Sequence, residues 1–223
     1  MNDIAENLAR VRDNIAEAAF KSGREPSDVK LIGVTKTIDA DRIRVLLDLG
    51  VTSLGENKPQ ELAEKYQILG IRPEWHLIGH LQTNKVKYIV DKAKLIQSVD
   101  SFELAKEIDK QAGKIGKTQD ILIELNISGE ESKFGAAPEG SAELIKRVGA
   151  LENVSVQGLM VMAPFTGDTG VIRDVFKRGN EIFALSDVRG TRLQTLSMGM
   201  SGDFEIAVEE GANMVRVGRG IFG

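Results

Sequence analysis

The sequence predicts an α/β fold: a single (β/α)8 barrel occupying residues 1–223 as one domain, with an extra helix at its N-terminus. Three observations carry this. Eight short apolar runs recur along the chain, starting at Leu31, Ser53, Trp75, Leu95, Ile121, Ser155, Leu193 and Met214. Every interval between them is long enough for a strand, a helix and two short loops, as parallel crossovers require. Runs such as LIGV and ILIELNI are apolar at most positions instead of alternating, which is how strands buried on both faces read. Eight strands with seven intervening helices fit a short (β/α)8 barrel. A doubly wound open sheet is the competing arrangement.

The elements follow in order. Ile4, Leu8, Val11, Ile15 and Ala18 recur at spacings of three and four and predict an amphipathic first helix, which Gly23 and Pro26 end. Helices are then expected at Asp39–Leu49, Pro59–Leu69, Asn84–Asp91, Ser101–Lys114, Glu139–Ala150, Val171–Ser186 and Phe204–Glu210. The sequence stops at Gly223, directly after the eighth run. The first helix is therefore expected to cover the barrel surface that an eighth helix would otherwise cover. Ser128–Gly140 and Ala163–Gly170 are polar and glycine-containing and read as long loops after strands.

Composition narrows the function class. A net charge of −4 gives no global basic footprint for nucleic acid. The absence of cysteine excludes disulfides, thiolate metal sites and cysteine nucleophiles, and suits a reducing cytoplasm. The N-terminus is acidic from its third residue and lacks the apolar core of a signal peptide. No apolar run reaches the length of a bilayer span, so no membrane partner is expected.

Barrel active sites form where strands end, so the chemistry is sought there. The first strand ends in Thr35-Lys36. A lysine closing an apolar strand is expected to be partly desolvated, which lowers an amine's pKa and exposes its nucleophilic form, as a Schiff-base lysine requires. The plain alternative is a surface lysine that happens to follow a strand. Ser201-Gly202 precede the helix FEIAVEEGA. Serine is a preferred N-cap, and a helix start beside glycine offers free amides to a phosphate. Gly218 and Gly220, after the eighth strand, are placed to complete such a cup, since barrels often bind phosphate in their last two loops.

Three further motifs have bland explanations. Gly218–Gly223 spells GxGxxG, but no helix and second strand follow it. His76 and His80 would share a face on one strand, yet no third metal ligand has matching spacing. Lys85, Lys87, Lys92 and Lys94 make a local basic patch that a solvated helix face explains.

Taken in order, the segments LIGVTKT, LGENKPQEL, WHLIGHLQTNKVK, SVDS, GLMVMAP and LSMGMSGDFEIAVEEGANMVRVGRGIFG resemble the pyridoxal phosphate homeostasis protein family, related to the N-terminal barrel of alanine racemase. They span Leu31 to Gly223. The resemblance implies pyridoxal 5′-phosphate as cofactor, held as a Schiff base on Lys36. It implies that Ser201, Gly202 and the backbone at Gly218 and Arg219 take the phosphate. It puts Arg216 beside the pyridine nitrogen, and Asn57 and Met160 along the cofactor pocket. Arg219 stands where family members carry a small hydroxyl residue, so only its backbone amide is assigned a role.

A cation beside the ring nitrogen disfavours its protonation and makes the ring a weaker electron sink. Racemisation in the related enzyme uses a tyrosine from an additional domain of the partner subunit. Here only Tyr66 and Tyr88 exist, both inside expected helices. The reading is a cytoplasmic, monomeric, non-catalytic protein of vitamin B6 homeostasis and amino-acid balance, with pyridoxal-phosphate-dependent apoenzymes as recipients of its cofactor. The alternatives are a slow enzyme such as an amino-acid racemase, with His80 or a loop residue as second base, and a phosphate-substrate barrel enzyme without the vitamin.

Overall fold

A computed structural model describes residues 2–130 and 134–223. Eight parallel strands close into a barrel: β1 (Lys30–Val34), β2 (Ser53–Glu56), β3 (Glu74–Leu77), β4 (Leu95–Val99), β5 (Gln119–Leu125), β6 (Val154–Val161), β9 (Thr195–Met198) and β10 (Met214–Val217). Closure comes from β1 pairing with β10, in the register Lys30 to Met214. The expected barrel is therefore the observed fold, and the open sheet is not.

Around it lie α1 (Asn2–Lys21), α2 (Ala40–Asp48), α3 (Pro59–Leu69), α4 (Phe102–Gly113), α5 (Ser141–Gly149), α6 (Thr169–Leu185), α7 (Phe204–Glu209) and α8 (Arg219–Phe222). The expected helix over 84–91 is instead a 3-10 helix, Thr83–Tyr88. β7 (Asp187–Val188) and β8 (Thr191–Arg192) form a small hairpin that the sequence reading did not anticipate. Its turn is Arg189-Gly190, both at positive φ, with the Asp187 carboxylate accepting from the Gly190 amide at 2.9 Å. Without the Asn-Gly or Asp-Gly pair that marks such turns, nothing in the sequence between the expected helix ending at Ser186 and the run from Leu193 announces it. Residues 131–133 of the loop after β5 lie outside the described residues.

Strand parity separates two packing zones. Outward residues such as Leu54, Ile96, Ile121, Leu159 and Val215 join the helices in the main core. Inward residues Ile32, Leu95, Leu122, Met160 and Met214 form a small apolar layer inside the barrel.

The expectation for α1 holds, with one correction. The chain does turn once more after β10, as α8, and α1 packs over both α7 and α8. Its apolar stripe of Ile4, Leu8, Val11, Ile15 and Ala18 is buried. Polar ties fix the register: Asn7 donates to the Ile221 carbonyl at 3.1 Å and Asn14 to Glu205 at 2.8 Å. Leu8→Ala is expected to cost about 3 kcal/mol, the usual scale for truncating a buried leucine, read as a lowered urea midpoint. An unchanged midpoint would show that α1 does not belong to the cooperative unit.

Candidate cofactor-binding site

At the C-terminal mouth of the barrel a cavity of about 230 Å³ is lined by Lys36, Asn57, Ser201, Gly202, Arg216, Gly218 and Arg219. Seven of the eight residues singled out in the sequence thus meet in one place. The eighth, Met160, is fully buried one inward position lower on β6, in the apolar layer, and Met162 lines the cavity instead.

β1 ends at Val34, so Lys36 already belongs to the turn that follows it, and its side chain is exposed at the mouth. The desolvation expected of a strand-closing lysine is therefore not provided by burial. Asn57 sits half-buried just past β2, where its backbone packs against Gly79; a Cβ on Gly79 would collide with the Asn57 carbonyl and Cα.

The loops after β9 and β10 are joined through Ser201. Its Oγ accepts from the backbone amides of Gly218 and Gly220, both at 3.2 Å. Ser201 is not the N-cap it was expected to be. Asp203 holds that position, and its carboxylate turns back to accept from the Met200 amide. The hydroxyl is thereby freed to join the second loop. A Cβ on Gly218 would press on the side chain and carbonyl of Val34, so this cup lies beside the strand end that leads into the Lys36 turn.

Arg216 is buried and faces inward from β10. It starts a directed hydrogen-bond line across the barrel. Arg216 Nη1 donates to Ser197 Oγ at 2.6 Å and Nη2 to the Val161 carbonyl at 3.1 Å. Ser197 Oγ donates to Gln97 Oε1 at 2.7 Å, and Gln97 Nε2 lies 3.0 Å from His76 Nδ1. Burial lowers the Arg216 pKa to about 10, with Glu124 and Asp203 opposing, so it stays a cation at neutral pH. Burial, with a smaller contribution from Lys30, lowers His76 to about 3. A neutral His76 accepts at Nδ1, which fits the line. Glu124, inward on β5, is raised to about 7 by burial and by the Asp100 charge, against the pull of Arg216.

The sequence reading did not single out Ser197, Gln97 or Glu124. Their signal was present: each is a polar residue at an inward position of a strand run. His76 was weighed as half of a metal pair with His80. β3 ends at Leu77, so the two do not share a strand. His80 stacks on Phe134 and lies 3.6 Å from Asp100, apart from the His76–Gln97 contact. Among the described residues no group of three or more candidate ligands gathers as a metal site requires. The basic patch is only partly solvated, with Lys87 and Lys94 exposed: Lys92 and Lys94 pair with Asp91 and Asp120, and Lys85 and Lys87 lie over the Tyr88 ring. No helix of the described residues is long and apolar enough to cross a membrane.

The residues present fit a phosphorylated pyridine aldehyde: an accessible amine, an amide-and-hydroxyl cup, and a buried cation that line one cavity. Residues 7–223 match the alanine racemase N-terminal domain family. The chain belongs to that family, and within it to the pyridoxal phosphate homeostasis proteins. The protein of that name from Aquifex aeolicus is 44% identical over 220 residues, covering 98% of this chain and 96% of the relative. The one from Escherichia coli K12 is 37% identical over 227 residues, covering 100% and 97%. PipY from Synechococcus elongatus, solved with PLP bound, superposes with a TM-score of 0.84 at 33% identity, covering 99% of this chain and 100% of that one. Alanine racemase of Clostridium difficile shares the fold, with a TM-score of 0.79 at 19% identity over 60% of its length.

Proposed function

We propose that this protein binds pyridoxal 5′-phosphate as a Schiff base on Lys36 and serves intracellular vitamin B6 homeostasis and amino-acid balance instead of catalysing a defined reaction. The observation that carries the reading is the convergence of Lys36, the Ser201 cup and Arg216 on one cavity. When bound, the vitamin supplies an aldehyde carbon: the Lys36 amine adds to it, and its two hydrogens leave with the aldehyde oxygen as water.

The chain's own groups have separate tasks. The Ser201 hydroxyl and the amides of Gly202 and Arg219 receive the phosphate, and the Gly218 amide, held on Ser201 Oγ, fixes that hydroxyl beside them. Arg216 holds positive charge beside the ring nitrogen and disfavours its protonation. Asn57 borders the ring, and Met160 supports the floor beneath it. No tyrosine lines the cavity: Tyr66 lies on α3 under Lys92, and Tyr88 closes the 3-10 helix. Neither tyrosine of the chain is placed to act as the second acid–base group of a racemase, and the reading is a monomeric carrier supplying pyridoxal-phosphate-dependent apoenzymes.

The protein loaded with pyridoxal phosphate is expected to show a visible band. Borohydride should fix the added mass on the peptide carrying Lys36, and Lys36→Ala should lack both signals. Colourless wild-type protein, or mass on another lysine, overturns the reading. A slow racemase is the second reading, with His80, which follows the C-terminal end of β3 and lies 3.6 Å from Asp100, as its second base. Cα exchange of alanine in deuterated water well above that of free cofactor would favour it over the carrier.

A further inference from the structure

Behind Lys36, on the outward side of β1 and β2, lies a group of charges that the cavity does not use. Thr35 and Glu56 are fully buried there, and Lys65 on α3 is nearly so. Lys65 Nζ donates to the Thr35 carbonyl and to Glu56 Oε1, both at 2.6 Å. The same carboxylate oxygen accepts from Thr35 Oγ1 at 2.6 Å. Glu61, one turn earlier on α3, accepts from the Thr37 amide at 3.3 Å and lies 3.9 Å from Lys65. Every residue flanking Lys36 is therefore tied to α3 or β2.

The turn itself explains why such ties are needed. The Ile38 amide donates to the Thr35 carbonyl at 3.0 Å, closing a turn with Lys36 and Thr37 at its centre. Thr37 sits there at φ 64. A β-branched residue at positive φ is strained, and the position is one that glycine or asparagine ordinarily takes. Strain of this kind persists only where the surroundings over-determine the backbone. A buried carboxylate paired with a nearly buried ammonium is likewise a costly arrangement to keep where a surface pair would serve. Burial raises the Glu56 pKa even against its two hydrogen bonds.

We infer that Lys65, with Glu56 and Glu61, is a positioning residue set that holds the strained Thr35–Ile38 turn so that the Lys36 amine points into the cavity. This rests on the Schiff-base reading of Lys36 and adds to it the residues that aim the amine. An exposed lysine on a free turn would sample many directions. Fixing both neighbouring peptides restricts them, and a displacement of about 1 Å at a reacting group can cost on the order of a hundredfold in rate.

The test separates covalent capture from simple binding. The full-length protein is mixed with pyridoxal 5′-phosphate, and growth of the visible band gives the capture rate. Affinity for pyridoxine 5′-phosphate, which has the same ring and phosphate but no aldehyde, gives binding alone. Lys65→Met and Glu61→Ala should each slow capture on the order of tenfold or more while pyridoxine 5′-phosphate binds as before. Lys65→Arg, which keeps charge and reach, should recover most of the rate. Unaltered capture in both variants overturns the inference, and so does equal weakening of both ligands, which would mark general damage to the fold. Glu61 is only half-buried, so its variant answers if Lys65→Met does not fold. Lys36→Ala is run alongside: a visible band that survives it defeats the underlying reading, whereas a band that it abolishes leaves the Lys65 result to be judged by itself.

Discussion

Arg216→Ala is expected to lower stability by about 3 kcal/mol at pH 8 and by clearly less at pH 5.5, the scale of leaving two buried acceptors without a donor. The side chain fills the inward face of β10, so its removal leaves Ser197 Oγ and the Val161 carbonyl short of donors. Buried acceptors without partners are costly. The pH dependence comes from Glu124. Its folded pKa, about 7, is raised above the ordinary 4.5, so its protonated form contributes stability at low pH that is lost as pH rises through 7. Arg216 is the charge that limits this loss. Without it the carboxylate at pH 8 faces only burial and Asp100, whereas at pH 5.5 it is protonated with or without Arg216. Urea denaturation at the two pH values measures the difference. Combining Arg216→Ala with Glu124→Gln should recover part of the loss at pH 8, and a double-mutant cycle gives the coupling. Identical losses at both pH values would show that Glu124 and Arg216 are not coupled. Arg216→Lys should not restore the parent, because an ammonium cannot reproduce the planar two-pronged donation to Ser197 and Val161.

This inward polar line also shows where the sequence could be read and where it could not. The barrel was legible because its signal is one-dimensional: eight apolar runs at crossover spacing specify strand and helix order without any tertiary information. The mouth was legible for a related reason, since the end of each strand falls on one rim and Lys36, Asn57, Ser201 and Gly218 can be placed there by counting. Orientation was less accessible. Whether Ser201 caps its own helix or reaches the Gly218 loop depends on how two loops 17 residues apart in sequence approach each other. Lys36 was expected to be desolvated because β1 is apolar, yet the strand ends two residues earlier and the lysine rides on a turn. Nothing in the sequence distinguishes Glu56 at the end of β2. Its role appears only once α3 brings Lys65 against it.

His76 supplies the other large effect. Wild-type stability is expected to fall by about 2–3 kcal/mol between pH 6.5 and 4.5 through this one residue, at roughly 1.4 kcal/mol per pH unit. Its folded pKa, about 3, lies below the unfolded value of 6.5. The unfolded chain therefore takes up a proton in this window while the folded chain does not. The stability of the neutral form is intact above pH 6.5 and lost progressively as pH drops towards 3. Protonation in the folded state would place a cation in the barrel interior and turn Nδ1 into a donor facing Gln97 Nε2, which is itself a donor. His76→Asn offers a non-titrating acceptor near the same place. Its denaturation midpoint should start lower at pH 7.5, because the smaller side chain leaves space in a packed interior. It should then fall less steeply with acid than that of the parent. Exposed carboxylates that weaken the fold in acid are common to both proteins and cancel in the comparison, so the difference in slope belongs to His76. Parallel profiles across pH 7.5 to 4.5 would mean that the histidine is hydrated in solution, and the line from Arg216 would then end at Gln97.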